Sequence, residues 1–159
     1  MKKVIFLFSM LILFSCKKEK QVFQVHNVNI EQNSANKNHL KSTTEFLSIA
    51  YFHIFETPIP TPRLSDLSVL HSSFGDKKLI EQMTIKNFLN DDGIQISSID
   101  RSSIITKTTF VRETYKKLYN RIPEEYELWF ILNMIEKDAD LTAEIIYFSL
   151  MTADEYRYY

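Results

Sequence analysis

Two glycines, four prolines and one cysteine are all that this chain of 159 residues contains. So few glycines remove the phosphate-cradling loops of the Walker and dinucleotide types, which need glycine at fixed offsets. The same scarcity disfavours a sandwich built on many tight turns and suits helices. A lone cysteine, Cys16, cannot close a disulfide within the chain, and it excludes a cysteine-built zinc site and a c-type haem attachment. An excess of one charge is missing too, with 19 basic residues against 20 acidic. Nucleic-acid binding rests on a clustered basic surface, so nucleic acid is not expected as a partner. No Gly-x-Ser-x-Gly elbow occurs.

What is present starts at the N-terminus. Lys2 and Lys3 precede an uncharged apolar run over residues 4–15. A run of that length matches the apolar region of a signal peptide and falls short of the roughly 18 residues a spanning helix needs. Leu13, Phe14, Ser15 and Cys16 resemble the bacterial lipobox, with an aliphatic residue three before the cysteine and a small one just before it. Phe14 is bulkier than the usual occupant of its position. The resemblance implies cleavage before Cys16, removal of residues 1–15 and lipidation of Cys16 with a diacylglycerol and an N-acyl chain. Several chains on one residue give lasting attachment where a single chain gives only marginal binding. Lys18-Glu19 is similar to half of the signal that sends some Bacteroidetes lipoproteins to the outer face of the outer membrane. Cleavage would take two of the 19 basic residues and none of the 20 acidic ones, leaving a net charge of −3.

Residues 16–41 read as a tether, rich in Asn, Gln, Lys and Ser with little to bury. A flexible chain of that length spans about 25–30 Å root-mean-square. Residues 22–30 (VFQVHNVNI) are β-branched enough for a short strand, and residues 94–98 alternate in a way that would pair with them.

From Ser42 to the C-terminus the pattern is helical. Ser42 and Glu45 form a capping box ahead of Phe46, Ile49, Ala50, His53 and Ile54. The prolines of "ETPIPTP" stop that helix, and Thr61-Pro62 is expected to cap and open the next. Leu64, Leu67, Leu70, His71 and Phe74 mark its apolar face. Gly75-Asp76 breaks and caps a third helix bearing Ile80, Met83, Thr84 and Phe88, which "NDDG" ends. The plan then repeats. Asp100 is expected to cap a helix through Ile104, Val111, Tyr115, Leu118 and Tyr119. Pro123, with Glu124 and Glu125 at the positive end, opens a helix bearing Leu128, Ile131, Leu132 and Ile135. Leu141-Thr142 staples and caps the last helix, with Ile145, Ile146, Tyr147, Phe148 and Leu150, and Thr152 to Glu155 is expected to form a closing capping box.

Phe46, Tyr51 and Phe55 fall 64 positions before Phe110, Tyr115 and Tyr119, and Pro62, Leu67 and Leu70 match Pro123, Leu128 and Ile131. The expected fold is therefore all-α. Two three-helix units, about 42–90 and 100–157, pack into one domain over residues 42–159. Neither unit of some 45 residues would bury enough core alone.

The text Tyr115…Leu118-Tyr119-Asn120-Arg121-Ile122-Pro123…Glu127, followed by Thr152-Ala153-Asp154-Glu155-Tyr156, resembles a helical domain of unknown function found in bacterial secreted and surface proteins. Phycobilisome linker domains are similar more distantly. That domain carries a Tyr-rich helix, an R-x-P turn and a closing S-x-E-Y. The match covers residues 110–156; in the first half Glu56 or Thr57 stands where the Arg should be. The resemblance implies a structural or interaction module.

Candidate chemistry is sparse. His53 and Glu56 lie one helical turn apart, but two ligands do not make a zinc site; no metal or cofactor is expected. Glu124, Glu125 and Glu127 are explained by the helix dipole. Arg121 is placed to follow a helix C-terminus and reach Glu155, making Arg121, Pro123 and Glu155 a structural joint. Tyr126, Trp129 and Tyr156 are candidate interaction residues, because Tyr and Trp commonly anchor interfaces. The expected function is that of a lipid-anchored outer-membrane protein with a structural or protein-binding role, an accessory subunit of an envelope assembly. The alternative is a small envelope hydrolase or carbohydrate-active enzyme using His53, Glu56 and an acid at 124–127.

Overall fold

A computed structural model describes residues 39–158. The expected signal peptide, Cys16, most of the expected tether and the strand expected over 22–30 lie outside them. Within them the fold is all-α: α1 (Thr43–Phe55), α2 (Thr61–Ser73), α3 (Lys77–Leu89), α4 (Ile104–Tyr119), α5 (Glu125–Lys137) and α6 (Ala143–Met151), closed by a 3-10 turn at Asp154–Arg157.

Local chemistry sets most of the boundaries. Ser42 accepts from Glu45 N–H while Glu45 accepts from Ser42 N–H at 2.7 Å, so two orphan amides of α1 are satisfied reciprocally. Asp76 accepts from Leu79 N–H at 3.0 Å and Thr142 from Ile145 N–H at 3.4 Å, opening α3 and α6. Gly93 takes the left-handed backbone (φ 85°) beyond the end of α3.

Three caps differ from expectation. The residue before α2 is Pro60, not Thr61; both prolines sit where no amide proton is needed. The cap of α4 is Ser103, which exchanges bonds with Thr106, while Asp100 accepts from Ser102 N–H in a local turn. The closing capping box does not form, because Thr152 Oγ1 donates back to Phe148 O and the Glu155 carboxylate is drawn to Arg121.

Residues 94–98 form no strand. Gln95 N–H instead donates to Ile54 O at 2.7 Å, satisfying a carbonyl that the last turn of α1 leaves open. Ile94 and Ile96 lie half-buried against the core from this irregular segment.

α1 packs on α2, α4 on α5, and α3 on α6, so the third helix of each half joins the two halves. Ile54, Ile85, Phe88, Val111, Met151 and Tyr156 are fully buried at the centre. The face of α2 is shallower than its pattern suggests: His71 is its one buried residue, and Leu70 and Phe74 are exposed. Met83 and Ile145 are also exposed, whereas Thr84 is buried with its hydroxyl donating to Ile80 O.

The halves share detail. Phe46, Tyr51 and Phe55 are buried, as are Phe110, Tyr115 and Tyr119. Glu56 and Asn120, 64 positions apart, both end their helices in the left-handed region, at φ 56° and 55°. The two ends of the described chain meet where Lys41 N–H donates to Arg157 O and Leu40 bridges Tyr158.

Candidate functional site: an arginine joint and an exposed aromatic strip

Because Asn120 turns left-handed, the chain leaves α4 abruptly and Arg121 folds back over it. Its guanidinium lies 5.2 Å from the Tyr115 ring and 5.5 Å from the Tyr119 ring. Nε and Nη2 donate to the two oxygens of Glu155, each at 2.7 Å. Nη1 and Nη2 donate to the two oxygens of Glu127, again at 2.7 Å. Glu127 in turn accepts from Glu124 N–H at 2.7 Å at the head of α5. One planar cation thus ties the end of α4, the start of α5 and the closing turn, with the fork geometry only arginine offers. The bonds to Glu155 and Glu127 hold the arginine's pKa above its usual range, and Arg121 holds the Glu127 carboxyl below its own. Burial first, then the charge of Glu127, pushes the Tyr115 hydroxyl up to about 12. Pro123 is buried between Arg121 and α5 in sequence, where a proline removes one amide that would otherwise need a partner.

Tyr156, expected as an exposed anchor, is fully buried. It directly follows Glu155, which Arg121 holds. Its ring packs edge-on to Phe46 at 6.0 Å, and the Lys41 ammonium sits over it at 4.2 Å while donating to its backbone carbonyl. Its hydroxyl shares a 2.9 Å hydrogen bond with His53 Nδ1. Burial, with the charges of Lys41 and Lys117 nearby, lowers the His53 pKa to about 4, so the imidazole is neutral at pH 7.

The first half has its own version of the joint, with the arginine supplied from a different position. Neither Glu56 nor Thr57 substitutes for the arginine. Arg63, from the first turn of α2, lies 5.3 Å from Tyr51 and 5.9 Å from Phe55, the ring pair that matches Tyr115 and Tyr119. Its Nη2 donates to Asp91 at 2.6 Å, in the turn after α3, much as Glu155 follows α6. Arg63 comes after its proline and Arg121 before, so spacing along the chain carries no signal of the equivalence.

The residues of the enzyme alternative do not converge. Glu56 pairs with Lys117 at 2.9 Å, Glu127 is held by Arg121, and His53 faces Tyr156. Among the described residues no group of three His, Cys, Asp or Glu is placed to hold a metal ion. His71 is buried between Thr43 Oγ1 at 3.3 Å and Glu81 at 3.4 Å, and Glu81 also accepts from Arg157 at 3.1 Å. An open groove of about 400 Å³ runs beside His53, walled by Ile49, Phe52, Pro58, Ile59 and Leu64.

Tyr126 and Trp129 do face solvent, at 70% and 57% exposure, and Phe130 joins them at 47%. The Tyr126 ring centroid lies 5.8 Å from Trp129 and 6.3 Å from Phe130, with interplanar angles of 32° and 26°. Ile122 and Met134 are exposed at either end. Phe130 was not singled out from the sequence; it directly precedes Ile131 of the buried stripe but faces solvent beside Tyr126. Among the described residues, no helix is long and apolar enough to cross a membrane. No protein-family model matches this chain, and no curated protein or solved structure matches it.

Proposed function

We propose that this chain is a lipid-anchored cell-envelope protein with a structural or protein-binding role, an accessory subunit of an outer-membrane assembly. In this reading Cys16 carries the acyl chains, residues 16–41 are the tether, and a duplicated three-helix unit is the body. The observation that carries the binding role is the strip of Tyr126, Trp129 and Phe130, large rings open to solvent with Tyr126 beside each of the other two. Exposed apolar patches of this kind are the usual mark of an interaction surface. The Arg121 joint supports the same reading, because it fixes the head of α5 and so presents the strip on a rigid element. The hydrolase alternative draws less support, since Glu56 and Glu127 are each committed to a cation rather than to His53.

The test is affinity purification of the tagged chain from detergent-solubilised envelope, with Trp129→Ala alongside. The expected result is a stable complex that Trp129→Ala loses. Recovery of a lone monomer from the wild type would overturn the binding role.

A further inference from the structure

We infer that the groove beside His53 is a binding site for an aliphatic monocarboxylate, with His53 Nε2–H donating to the carboxylate and the chain lying between α1 and the turn into α2. The inference goes beyond the binding role proposed above and does not depend on the strip on α5.

The hydrogen-bond network sets the donor. Tyr156 is fully buried, and among the described residues His53 Nδ1, at 2.9 Å, is the one partner of its hydroxyl. A buried hydroxyl must give its proton to an acceptor, so Nδ1 accepts and the single proton of the neutral ring sits on Nε2. Among the described residues no group accepts from Nε2, and no buried side-chain nitrogen or oxygen lacks a partner. Nε2 therefore reaches open space, and the open space that His53 walls is the groove.

The walls set the tail. Ile49 and Phe52 of α1 form one side, and Pro58, Ile59 and Leu64 form the other. Apart from Ser48 and His53, every residue lining the groove is apolar, so the fitting ligand has one polar end and an apolar body. The groove holds about 400 Å³. At roughly the 30 Å³ that a water occupies in the liquid, that is room for about a dozen heavy atoms.

The charges set the sign. The ammonium groups of Lys41 and Lys117 both act on His53. Lys41 Nζ lies 4.2 Å from the centre of the Tyr156 ring, the partner of His53. Glu56, the acid one turn beyond His53, is paired with Lys117 at 2.9 Å. A neutral donor flanked by two cations favours a carboxylate over an ammonium.

The test is isothermal titration calorimetry of the full chain in lipid nanodiscs, with octanoate as the probe, empty nanodiscs as the blank and circular dichroism confirming the fold of each variant. Octanoate is expected to bind saturably, one per chain, and about tenfold tighter than octylammonium, which has the same tail and the opposite charge. Butyrate, four methylenes shorter, should bind about tenfold more weakly or worse. His53→Phe keeps an apolar wall and removes the donor, and should weaken octanoate about tenfold. That variant also deprives the Tyr156 hydroxyl of its partner, so Phe52→Glu supplies a check that leaves the His53 contact in place. Phe52 is half exposed, and the new carboxylate should weaken octanoate about tenfold or more. Absence of saturable octanoate binding overturns the inference. Octylammonium binding as tightly as octanoate would reduce the groove to a bare apolar surface and also overturns it. So does octanoate binding that Phe52→Glu leaves unchanged. Tighter binding of a neutral acetylated leucine-peptide amide than of octanoate would make a protein segment the occupant, and equally overturns it. The role of the strip on α5 stands or falls separately, by Trp129→Ala.

Discussion

Arg121 and Glu155 meet through two parallel hydrogen bonds of 2.7 Å across 34 positions of sequence. Their side chains are about a quarter to a third exposed, so the pair is screened less than a surface pair and costs less to desolvate than a buried one. Glu155→Gln keeps the shape but removes the charge, and Arg121→Lys keeps the charge but loses the fork. Each should lower unfolding free energy by about 2 kcal/mol in urea titrations. A double-mutant cycle should return a coupling of about 1–2 kcal/mol, and a coupling near zero would make the joint incidental. Arg63→Ala should cost less than Arg121→Ala, because Arg63 holds one carboxylate where Arg121 holds two.

His53 gives the protein an acid-labile contact. Its folded pKa, about 4, lies below the ordinary 6.5, so the unfolded chain binds the proton more readily. Stability that is full above pH 6.5 should therefore fall as pH drops towards 4, by up to about 3 kcal/mol. Glu127, whose carboxyl is held low by Arg121, adds loss at the acid end of the same range. Thermal melts between pH 7.5 and 4 should show a shallower slope in His53→Gln than in the wild type. Identical slopes would mean that His53 is not the group responsible.

The two left-handed helix ends should respond differently to glycine. Glu56 holds φ 56° with a side chain that gains nothing from that conformation except its exposed pair with Lys117. Glu56→Gly should raise stability by about 0.5 kcal/mol. Asn120 is already suited to the left-handed region, so Asn120→Gly should be near neutral, and Asn120→Val should cost about 1–2 kcal/mol. Differential scanning calorimetry of the three variants gives the comparison.

The tyrosines and the tryptophan divide sharply between inside and outside. Trp129→Ala and Tyr126→Ala remove exposed rings and should change stability by less than about 0.5 kcal/mol. Tyr156→Ala removes a fully buried ring and strands His53, and should cost about 4 kcal/mol or more. Chemical denaturation of all three checks the division, and comparable losses at Trp129 and Tyr156 would contradict it.

Much of this fold is written in local chemistry. Ser42 with Glu45, Asp76, Thr142 and the prolines after Glu56 mark helix ends by amide bookkeeping that a sequence displays directly. Arg121 reaching Glu155 was also readable, since both flank a joint whose neighbours are helical. Asp100 lost its cap to Ser103 because two good caps stood three residues apart, and local pattern does not rank them. The depth of a helix is less legible than its existence. Met83, Leu70 and Ile145 have the right spacing for a core, yet all three are exposed. Arg63 was invisible for a plainer reason: only the reversal of the chain through Pro58 and Pro60 brings it over Tyr51.

Membrane attachment through an acylated Cys16 is the proposal on which the envelope role rests. Labelling growing cells with radioactive palmitate and comparing the wild type with Cys16→Ala tests that placement most directly. Label on the wild-type chain that vanishes in Cys16→Ala is the predicted result. A wild type without label, or label that survives in Cys16→Ala, would contradict it.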